Sequence, residues 1–202
     1  MNPACPVIVL AKAPVGGYAK TRLIPALGAA GAADLAARLL GRAVNAALAA
    51  GLGPVDLCCA PDSGHPAFAQ FASCLGVTTS DQGGGDLGAR MERALHRWLP
   101  LAGRALLIGT DAPALDAAVL RAAALALDAH DAVFVPAFDG GYVLVGLRRM
   151  QAPIFQGMAW STTTVMAHTR ERLARAGWQH LELAAMADID EPADLRLLPP
   201  HA

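Results

Sequence analysis

Short apolar runs alternate along this chain with longer segments of helical periodicity. A buried strand appears as a brief apolar run between turn residues, and a helix appears as apolar residues that recur every three or four positions. In the segment 29–50, Leu35, Leu39 and Leu48 follow the helical spacing, and Gly51 marks its end. The pattern predicts strands over residues 7–11, 55–60, 77–79, 105–109, 132–136, 141–147 and 178–183. It predicts helices over residues 29–50, 65–75, 86–99, 115–129, 161–176 and 191–198.

This alternation is typical of a three-layer α/β/α sandwich, in which helices cover both faces of a mostly parallel sheet. The strands 132–136 and 141–147 are separated by only a short turn, which predicts a local antiparallel strand. No internal repeat or linker interrupts the chain, so we expect a single domain over residues 1–202. Ligands of such folds bind beyond the carboxyl ends of the strands, which directs attention to the loops 12–22, 110–113 and 136–142.

The composition excludes several classes of protein. Hydrophobic residues make up 54% of the chain and charged residues 16%, which is too apolar for an intrinsically disordered protein. The net charge of −1 argues against a nucleic-acid partner, since nucleic-acid-binding domains usually carry a strongly basic face. No uncharged apolar stretch reaches the roughly 18 residues of a membrane helix, and no basic residue precedes the apolar segment 6–11 as in a signal peptide. We therefore expect a cytoplasmic protein with no membrane partner.

The cysteines predict no disulfide or metal framework. Cys5, Cys58, Cys59 and Cys74 form no C-x-x-C pair, and adjacent residues of a strand point to opposite faces of the sheet. We expect all four to be buried free thiols.

The first loop combines glycines with the only two lysines of the chain, Lys12 and Lys20. Gly16 and Gly17 allow backbone N–H groups to approach phosphate oxygens, and Lys20 and Arg22 add positive charge. The loop lacks the glycine that precedes the lysine of a Walker A motif. The alternative is an ordinary surface turn with solvated cations.

Asp111 follows an apolar strand within the sequence G-T-D-A-P. A carboxylate at this place faces the ligand crevice and is a hard oxygen ligand suited to Mg²⁺. Alternatively, Asp111 caps the following helix, since Pro113 stands where a first helical turn begins.

Two further acidic segments lie later in the chain. Asp139 precedes two glycines and Tyr142, which is either a simple turn or part of a ligand-side loop. Asp188 and Asp190 point to the same side if the chain is extended, so they can complete a metal site with Asp111. Asp190 can equally cap the last helix.

Other chemistry finds little support in the sequence. The glycines at 83, 85 and 88 match G-x-G-x-x-G but lack the acidic residue of a dinucleotide site, so a ligand-side loop is the better interpretation. The six histidines form no zinc motif, and no G-x-S-x-G nucleophile elbow occurs.

In combination, these motifs resemble the rSAM/selenodomain-associated transferase family, also described as CofC-like, of the nucleotide-diphospho-sugar transferase (GT-A) superfamily. The matching blocks extend from the first strand to the last helix. They read K-A-P-V-G-G-Y-A-K-T-R-L-I-P-A-L-G, G-D-L-G-A-R-M, G-T-D-A-P, P-A-F-D-G-G-Y-V-L-V-G-L, W-S-T and D-I-D-E-P-A-D-L.

The resemblance implies a role for each block. The phosphates of the nucleotide would be bound by Lys12, Gly16, Gly17, Lys20 and Arg22. A second substrate would contact Asp139, Gly141, Tyr142, Trp160 and Ser161. Mg²⁺ or Mn²⁺ would be held by Asp111 together with Asp188 and Asp190, which stand where the CofC guanylyltransferases have an acidic pair. The chain departs from the GT-A glycosyltransferases in having no D-x-D motif in its middle, which leaves the second metal ligand open.

Three functions remain open at this point. The first is nucleotidyl transfer from an NTP to a small phosphate- or hydroxyl-bearing acceptor, with Lys20, Arg22 and Asp111 as the catalytic groups. The second is glycosyl transfer from an NDP-sugar, since the family is linked by name to arsenosugar biosynthesis. The third is non-catalytic nucleotide binding. The several cations of the first loop favour the first, because a triphosphate carries more charge.

The oligomeric state also stays open. Phe155, Met158 and Trp160 form either an apolar homodimer face or part of the core.

Overall fold

A seven-stranded sheet forms the centre of the protein. The computed structural model describes residues 4–74, 76–150 and 153–198. The strands are β1 (Val7–Lys12), β2 (Val55–Ala60), β3 (Val77–Asp81), β4 (Ala105–Ile108), β5 (Ala132–Pro136), β6 (Tyr142–Leu147) and β7 (His180–Glu182). They lie in the order β3-β2-β1-β4-β6-β5-β7. All neighbouring strands are parallel except that β6 runs antiparallel to both β4 and β5. The predicted mostly parallel sheet with one local antiparallel strand is thus confirmed.

Helices cover both faces of the sheet. They are α1 (Ile24–Ala50), α2 (Ala69–Ala72), α3 (Leu87–Ala102), α4 (Ala117–Ala126) and α5 (Val165–Arg175). Short 3-10 helices lie at Thr21–Leu23, Pro66–Phe68 and Pro192–Leu197. One apolar core joins α1 and α4 to the first face, and a second joins α3 and α5 to the opposite face. Burial of apolar side chains on both faces explains why central strands such as β1 and β4 read as continuous apolar runs.

Neighbouring strand residues divide between these two cores. In β1, Val7 and Val9 belong to the first core and Ile8 to the second. Cys59 and Cys58 divide in the same way, as expected for adjacent residues of a strand.

All four cysteines are free thiols, as predicted. The expectation that all are buried is wrong for Cys74, which is exposed. It lies just beyond the short helix α2, where no strand or long helix covers it.

The predicted strands are all present, but several predicted helices differ in their ends or in their type. The span of α1 comprises two helical segments joined at a kink, where Gly28 has a non-helical φ of +70°, and the longer segment after the kink corresponds to the predicted helix 29–50. The helix predicted at 161–176 starts only at Val165, after a turn in which Ser161 has a φ of +61°. The predicted helix 65–75 is reduced to a 3-10 turn and α2, and its last residue lies outside the described residues. The predicted closing helix is a 3-10 helix.

Within the described residues, one helical segment is long and apolar enough to cross a membrane, namely Thr21–Ala50. This criterion rests on length and composition alone, and the core helix of a soluble protein also meets it. Here Leu40 and Val44 of this helix are buried in the first core. The segment therefore serves as a packing layer of the sandwich.

Gly146 allows the central strands to approach each other closely. A Cβ at this position would lie 2.6 Å from both Leu106 Cδ2 and Val133 Cγ1, which belong to the strands on either side of β6. We expect Gly146→Ala to lower the free energy of unfolding by about 1–3 kcal/mol, because the core must expand around the added methyl group. Urea denaturation measures this change.

The control is Gly41→Ala in α1, where no atom lies within 4 Å of the added Cβ. There, alanine should leave stability unchanged or raise it by up to about 1 kcal/mol through helix propensity. Equal effects of the two substitutions would contradict the close packing at Gly146.

Candidate active site

The sheet reverses its strand order beside β1, which opens a crevice at its carboxyl edge. β2 lies on one side of β1, and the chain then crosses to place β4 on the other side. In open α/β sheets, ligands bind at such a switch point, where the loops that follow the two strands diverge. The loop after β1 carries Lys20 and the loop after β4 carries Asp111, as the sequence predicted for ligand-side loops.

The Lys20 ammonium joins three distant segments of the chain. Its Nζ lies 2.6 Å from Asp111 Oδ1 and 2.9 Å from Asp190 Oδ1, and it donates a hydrogen bond of 2.5 Å to the carbonyl oxygen of Ile189. Only 7% of the Lys20 side chain is exposed, against 41% for each of the two aspartate side chains. The ammonium thus lies beneath two carboxylates that remain open to the crevice.

These contacts keep Lys20 charged. Burial by itself lowers the pKa of the Lys20 ammonium, but the neighbouring carboxylates of Asp111 and Asp190 outweigh it and raise the pKa above its ordinary value. A buried ammonium without such partners would be strongly destabilising.

The two helix-capping alternatives do not describe these aspartates. Asp116, rather than Asp111, caps α4, with its carboxylate accepting bonds from the backbone N–H groups of residues 118 and 119. At the last 3-10 helix, the Asp194 carboxylate accepts from the backbone N–H groups of Asp190 and Glu191. The carboxylates of Asp111 and Asp190 are instead directed to Lys20.

A third apolar cluster packs the C-terminal segment around Ile189 against the start of α1, next to the contacts of Lys20. Leu23 and Ile189 are fully buried in it, packed with Leu35 and Leu39 of α1. The backbone N–H of Ile189 also donates a 2.9 Å bond to the carbonyl oxygen of Asp111. Because Ile189 points into the cluster, the flanking aspartates point out towards the crevice.

The crevice contains a first cavity of about 680 Å³, within the size range of small-ligand pockets. Three of the five predicted phosphate-binding residues line it, namely Lys12, Lys20 and Arg22. Gly16 and Gly17 do not line it; they lie in the exposed part of the same loop. Asp111 and Asp190 also border this cavity.

A second, adjoining cavity of about 190 Å³ gathers the residues predicted to contact the second substrate. Its lining includes Asp139, Gly141, Tyr142, Trp160 and Ser161. Arg22, Tyr142, Ser161 and Asp190 line both cavities, so the two spaces meet at these residues.

Asp139 combines a structural contact with its place in the second cavity. Its Oδ1 accepts a 2.8 Å hydrogen bond from the backbone N–H of Gly141, as in the turn that the sequence offered as an alternative. The turn and the site are therefore compatible descriptions of the same loop.

An aromatic group forms one wall of the second cavity. Tyr142 makes edge-to-face contacts with Phe134 and Trp160, at centroid distances of 5.3 and 6.5 Å. Phe155 and Met158 are buried within the chain, so the core alternative describes them and not an exposed dimer face. The Tyr142 hydroxyl and the Trp160 indole N–H are buried and have no hydrogen-bond partner among the described residues.

Asp188 lines the second cavity without joining the Lys20 contacts. Burial, reinforced by the negative charges of Asp139 and Asp190, raises the pKa of the Asp188 carboxyl to about 6. In the part of the chain that the structure describes, no three His, Cys, Asp or Glu side chains converge into a preformed metal site. Of the predicted metal ligands, Asp111 and Asp190 are brought together, with Lys20 between them.

Gln82 and Arg90 also line the first cavity, although the sequence pattern predicted no role for either side chain. Gln82 is buried directly after β3 and donates to the carbonyl oxygens of Ala11 and Cys58, which ties together the ends of β1 and β2. The signal that was available is its position, a polar residue that follows a strand at the ligand edge.

The glycine-rich segment beside Arg90 has two different roles. Gly85 lines the first cavity, as expected for a ligand-side loop. Gly88 lies in the first turn of α3, where a Cβ would come within 2.6 Å of the Phe155 carbonyl oxygen and 2.9 Å of the Trp160 ring. Glycine is thus required there for close packing of α3 against the aromatic wall.

Comparisons with known proteins agree with this architecture. A family model described as "Uncharacterized protein conserved in bacteria (DUF2064)" matches residues 43–162. No curated protein matches the chain.

Among solved structures, a "putative nucleotide-diphospho-sugar transferase" from Desulfovibrio desulfuricans G20 is 30% identical, with a TM-score of 0.87 over 98% of this chain and 87% of that one. The 4-diphosphocytidyl-2C-methyl-D-erythritol synthase of Anaerococcus prevotii DSM 20548 is 10% identical, with a TM-score of 0.62 over 96% of each chain.

Glucosyl-3-phosphoglycerate synthase from Mycobacterium tuberculosis, in complex with Mn²⁺, UDP and glucosyl-3-phosphoglycerate, is also 10% identical. Its TM-score is 0.55 over 96% of this chain and 75% of that one. The last two likenesses show the fold alone. Together the matches establish the nucleotide-diphospho-sugar transferase architecture, which nucleotidyl and glycosyl transferases share.

The unpartnered hydroxyl of Tyr142 leads to a stability prediction. Burial raises the pKa of this hydroxyl above its ordinary value, and no described group compensates for its lost contact with water. We expect Tyr142→Phe to leave the melting temperature unchanged or raise it, because removing an unsatisfied buried hydroxyl costs no hydrogen bond. Differential scanning calorimetry of the protein without ligands tests this.

Trp98→Phe is the control. The Trp98 indole N–H donates a 2.8 Å bond to the buried Asp56 carboxylate, so this substitution should lower the melting temperature. A comparable loss in Tyr142→Phe would show that its hydroxyl has a partner.

Proposed function

We propose that this chain, which belongs to the DUF2064 family, is a metal-dependent transferase that acts on a nucleotide-activated substrate. The observation that carries the proposal is the meeting of Lys20 with Asp111 and Asp190 at the switch point of the sheet, beside a cavity of about 680 Å³. Cations and carboxylates side by side suit a ligand whose phosphates are bound partly by protein cations and partly through a metal ion.

In this proposal the first cavity binds the phosphates of the nucleotide. Lys12, Lys20 and Arg22 all line it and supply three positive charges. In the same loop, Gly17 adopts a φ of +79°, which favours glycine. The three cations favour a triphosphate, because it carries more negative charge than the diphosphate of an NDP-sugar.

The chemistry of the residues fits a divalent metal ion. Asp111 and Asp190 would hold it, with Asp188 close by, and carboxylate oxygens are the ligands that Mg²⁺ and Mn²⁺ prefer. The ammonium of Lys20 shows that a cation is accommodated between the two carboxylates. When bound, such a metal ion neutralises phosphate charge in the transferring group.

The favoured reaction is nucleotidyl transfer to a small acceptor bound in the second cavity. An oxygen of the acceptor attacks the α-phosphorus, pyrophosphate leaves, and a hydroxyl acceptor gives its proton to solvent or to a cavity carboxylate. Lys20 and Arg22 stabilise the charge that develops on the transferring phosphoryl group, while Tyr142, Trp160 and Ser161 position the acceptor. Arg22 lines both cavities, which supports this role.

Glycosyl transfer from an NDP-sugar is the second candidate. It is favoured by the 30% identical structure, described as a nucleotide-diphospho-sugar transferase. In that case the same cavity binds a diphosphate, and the acceptor attacks the anomeric carbon. Membership of the CofC-like transferases is a finer proposal, supported by the motif blocks of the first loop and of residues 136–147. The free state of all four cysteines supports a cytoplasmic location.

A ligand panel separates the two reactions. We expect a Mg²⁺-dependent rise in melting temperature with one NTP, because a ligand at 100 times its Kd adds about 2.7 kcal/mol to the stability of the folded protein. Differential scanning fluorimetry with NTPs and NDP-sugars, each with and without Mg²⁺, measures the rise. A rise confined to one NDP-sugar would favour glycosyl transfer, and no rise with any nucleotide would contradict both.

Substitution of Asp111 tests catalysis. With the nucleotide selected by the panel, we expect Asp111→Asn to lower metal-dependent turnover by at least about 100-fold, since a charged ligand of the metal is lost. The variant retains an oxygen for Lys20, which also keeps its contacts with Asp190 and Ile189.

Asp116→Asn is the matched control, because asparagine caps a helix as well as aspartate does and position 116 lines neither cavity. Turnover should be unchanged in this variant. Nucleotide binding that persists in Asp111→Asn, with turnover absent from both the variant and the parent protein, would favour a non-catalytic binding protein.

A further inference from the structure

The contacts of Lys20 have the arrangement expected of a bound cation. Three oxygens surround one nitrogen, those of Asp111, Asp190 and Ile189, at distances between 2.5 and 2.9 Å. The nitrogen is buried, whereas the two carboxylates are half-open to the first cavity. A phosphate-binding lysine that simply awaited its ligand would instead be directed into the cavity.

Asp111 and Asp190 need a cation between them. Their Oδ1 atoms both lie within 2.9 Å of Lys20 Nζ, so the two carboxylates are close to each other. Like charges this close repel, and the repulsion is strong where water is partly excluded. The Lys20 ammonium, which contacts both carboxylates, supplies the opposing charge. Within the described ranges, these aspartates are not part of a cluster of three His, Cys, Asp or Glu side chains that could hold a metal ion. The ammonium and a divalent ion held by the same two carboxylates would compete for one place.

Lysine is suited to such an exchange. Its charge is carried on a flexible four-carbon stem, so the ammonium can change partners while the backbone stays in place. Lys20 lines the cavity that also holds Lys12 and Arg22, so phosphate groups bound there lie within its surroundings. Arginine, with its rigid planar group, would not stand in for a compact metal ion in the same way.

We propose that Lys20 occupies the metal site in the metal-free protein. Its ammonium holds Asp111 and Asp190 together, and a divalent metal ion displaces it from these carboxylates towards the phosphates of the nucleotide. Metal and nucleotide then bind cooperatively. The metal ion would release Lys20 to the phosphates of the nucleotide, and these phosphates would stabilise the displaced ammonium. The inference rests on the proposed function only in that the site takes a divalent metal.

The two lysines of the chain allow this exchange to be observed directly. With ¹⁵N-labelled lysine, the side chains of Lys12 and Lys20 give two ammonium signals, and substitution of Lys12 identifies which is which. Titration of the unmodified protein with Mg²⁺ should shift the Lys20 signal and accelerate the exchange of its protons with water. The Lys12 signal should change little, since Lys12 is exposed and makes no ion pair within the described part of the chain. A Lys20 signal that is unchanged at saturating Mg²⁺ would overturn the proposal.

Substitution gives a second, independent measurement. Lys20→Met keeps the length of the stem and removes the charge, so Mn²⁺ no longer competes with an ammonium. We expect the affinity for Mn²⁺ without nucleotide, measured by isothermal titration calorimetry, to rise about tenfold, which corresponds to about 1.4 kcal/mol. The melting temperature in EDTA should fall, because Asp111 and Asp190 then repel each other unopposed, and Mn²⁺ should restore it.

Lys12→Met is the matched control, because it removes a charge from the same cavity and no contact with either carboxylate. Its affinity for Mn²⁺ should rise much less than that of Lys20→Met. Equal rises in Mn²⁺ affinity in the two variants would show that loss of any positive charge from the cavity is sufficient, which contradicts a specific exchange at Lys20. Weaker or absent Mn²⁺ binding in Lys20→Met would also overturn the exchange. The lysine signals answer the question even if Lys20→Met fails to fold.

These measurements are independent of turnover. Displacement of Lys20 by Mg²⁺ in a protein that binds no nucleotide would leave this inference standing and remove the proposed function. Nucleotide-dependent turnover with an undisturbed Lys20 signal would do the reverse.

Discussion

The burial of one ammonium group is the constraint on which the candidate site depends. Lys20 is mostly removed from water, and a buried charge is tolerated only where opposite charges and hydrogen bonds replace its hydration. Asp111, Asp190 and the Ile189 carbonyl oxygen meet this need. The loops after β1 and β4 and the C-terminal segment are consequently held at a single point. The apolar cluster around Leu23 and Ile189 makes the arrangement rigid, because it fixes residues next to both ends of the ion pair.

The fold places the contacts of Lys20 at the carboxyl edge of the sheet, beside the crevice. The strand order reverses beside β1, so the loops after β1 and β4 separate and leave a crevice. The antiparallel strand β6 then brings Tyr142 to the same edge, where it contacts Trp160 in the aromatic wall of the second cavity. Gly88 allows α3 to pack closely against this wall. The result is a large cavity lined by cations that meets a small cavity lined by aromatic and acidic groups. Two adjoining spaces of different chemistry suit a transferase, which must hold a charged donor and an acceptor together.

Much of the architecture could be predicted from local sequence patterns. Residues 7–11 are a continuous apolar run because both faces of their strand are covered. The short turn before Tyr142 limits β6 to an antiparallel neighbour. The errors occur where local patterns compete with tertiary contacts. The helix predicted at 115–129 is the shorter α4, which begins after its cap Asp116, and the segment after Ser161 forms a turn before α5 starts. Cys74 was expected to be buried like the other cysteines, but it is exposed just beyond the end of the short helix α2.

By itself, the sequence determined the fold class, several charged residues of the first cavity and most residues of the second, since strand periodicity and turn residues are local properties. Only the tertiary structure decided what Lys20 contacts. Its partners are far from it along the chain, and their distance is set by the packing of Ile189 against α1. The sequence pattern likewise could not predict the burial of polar groups such as Gln82 and the Tyr142 hydroxyl, because burial is a property of the assembled core.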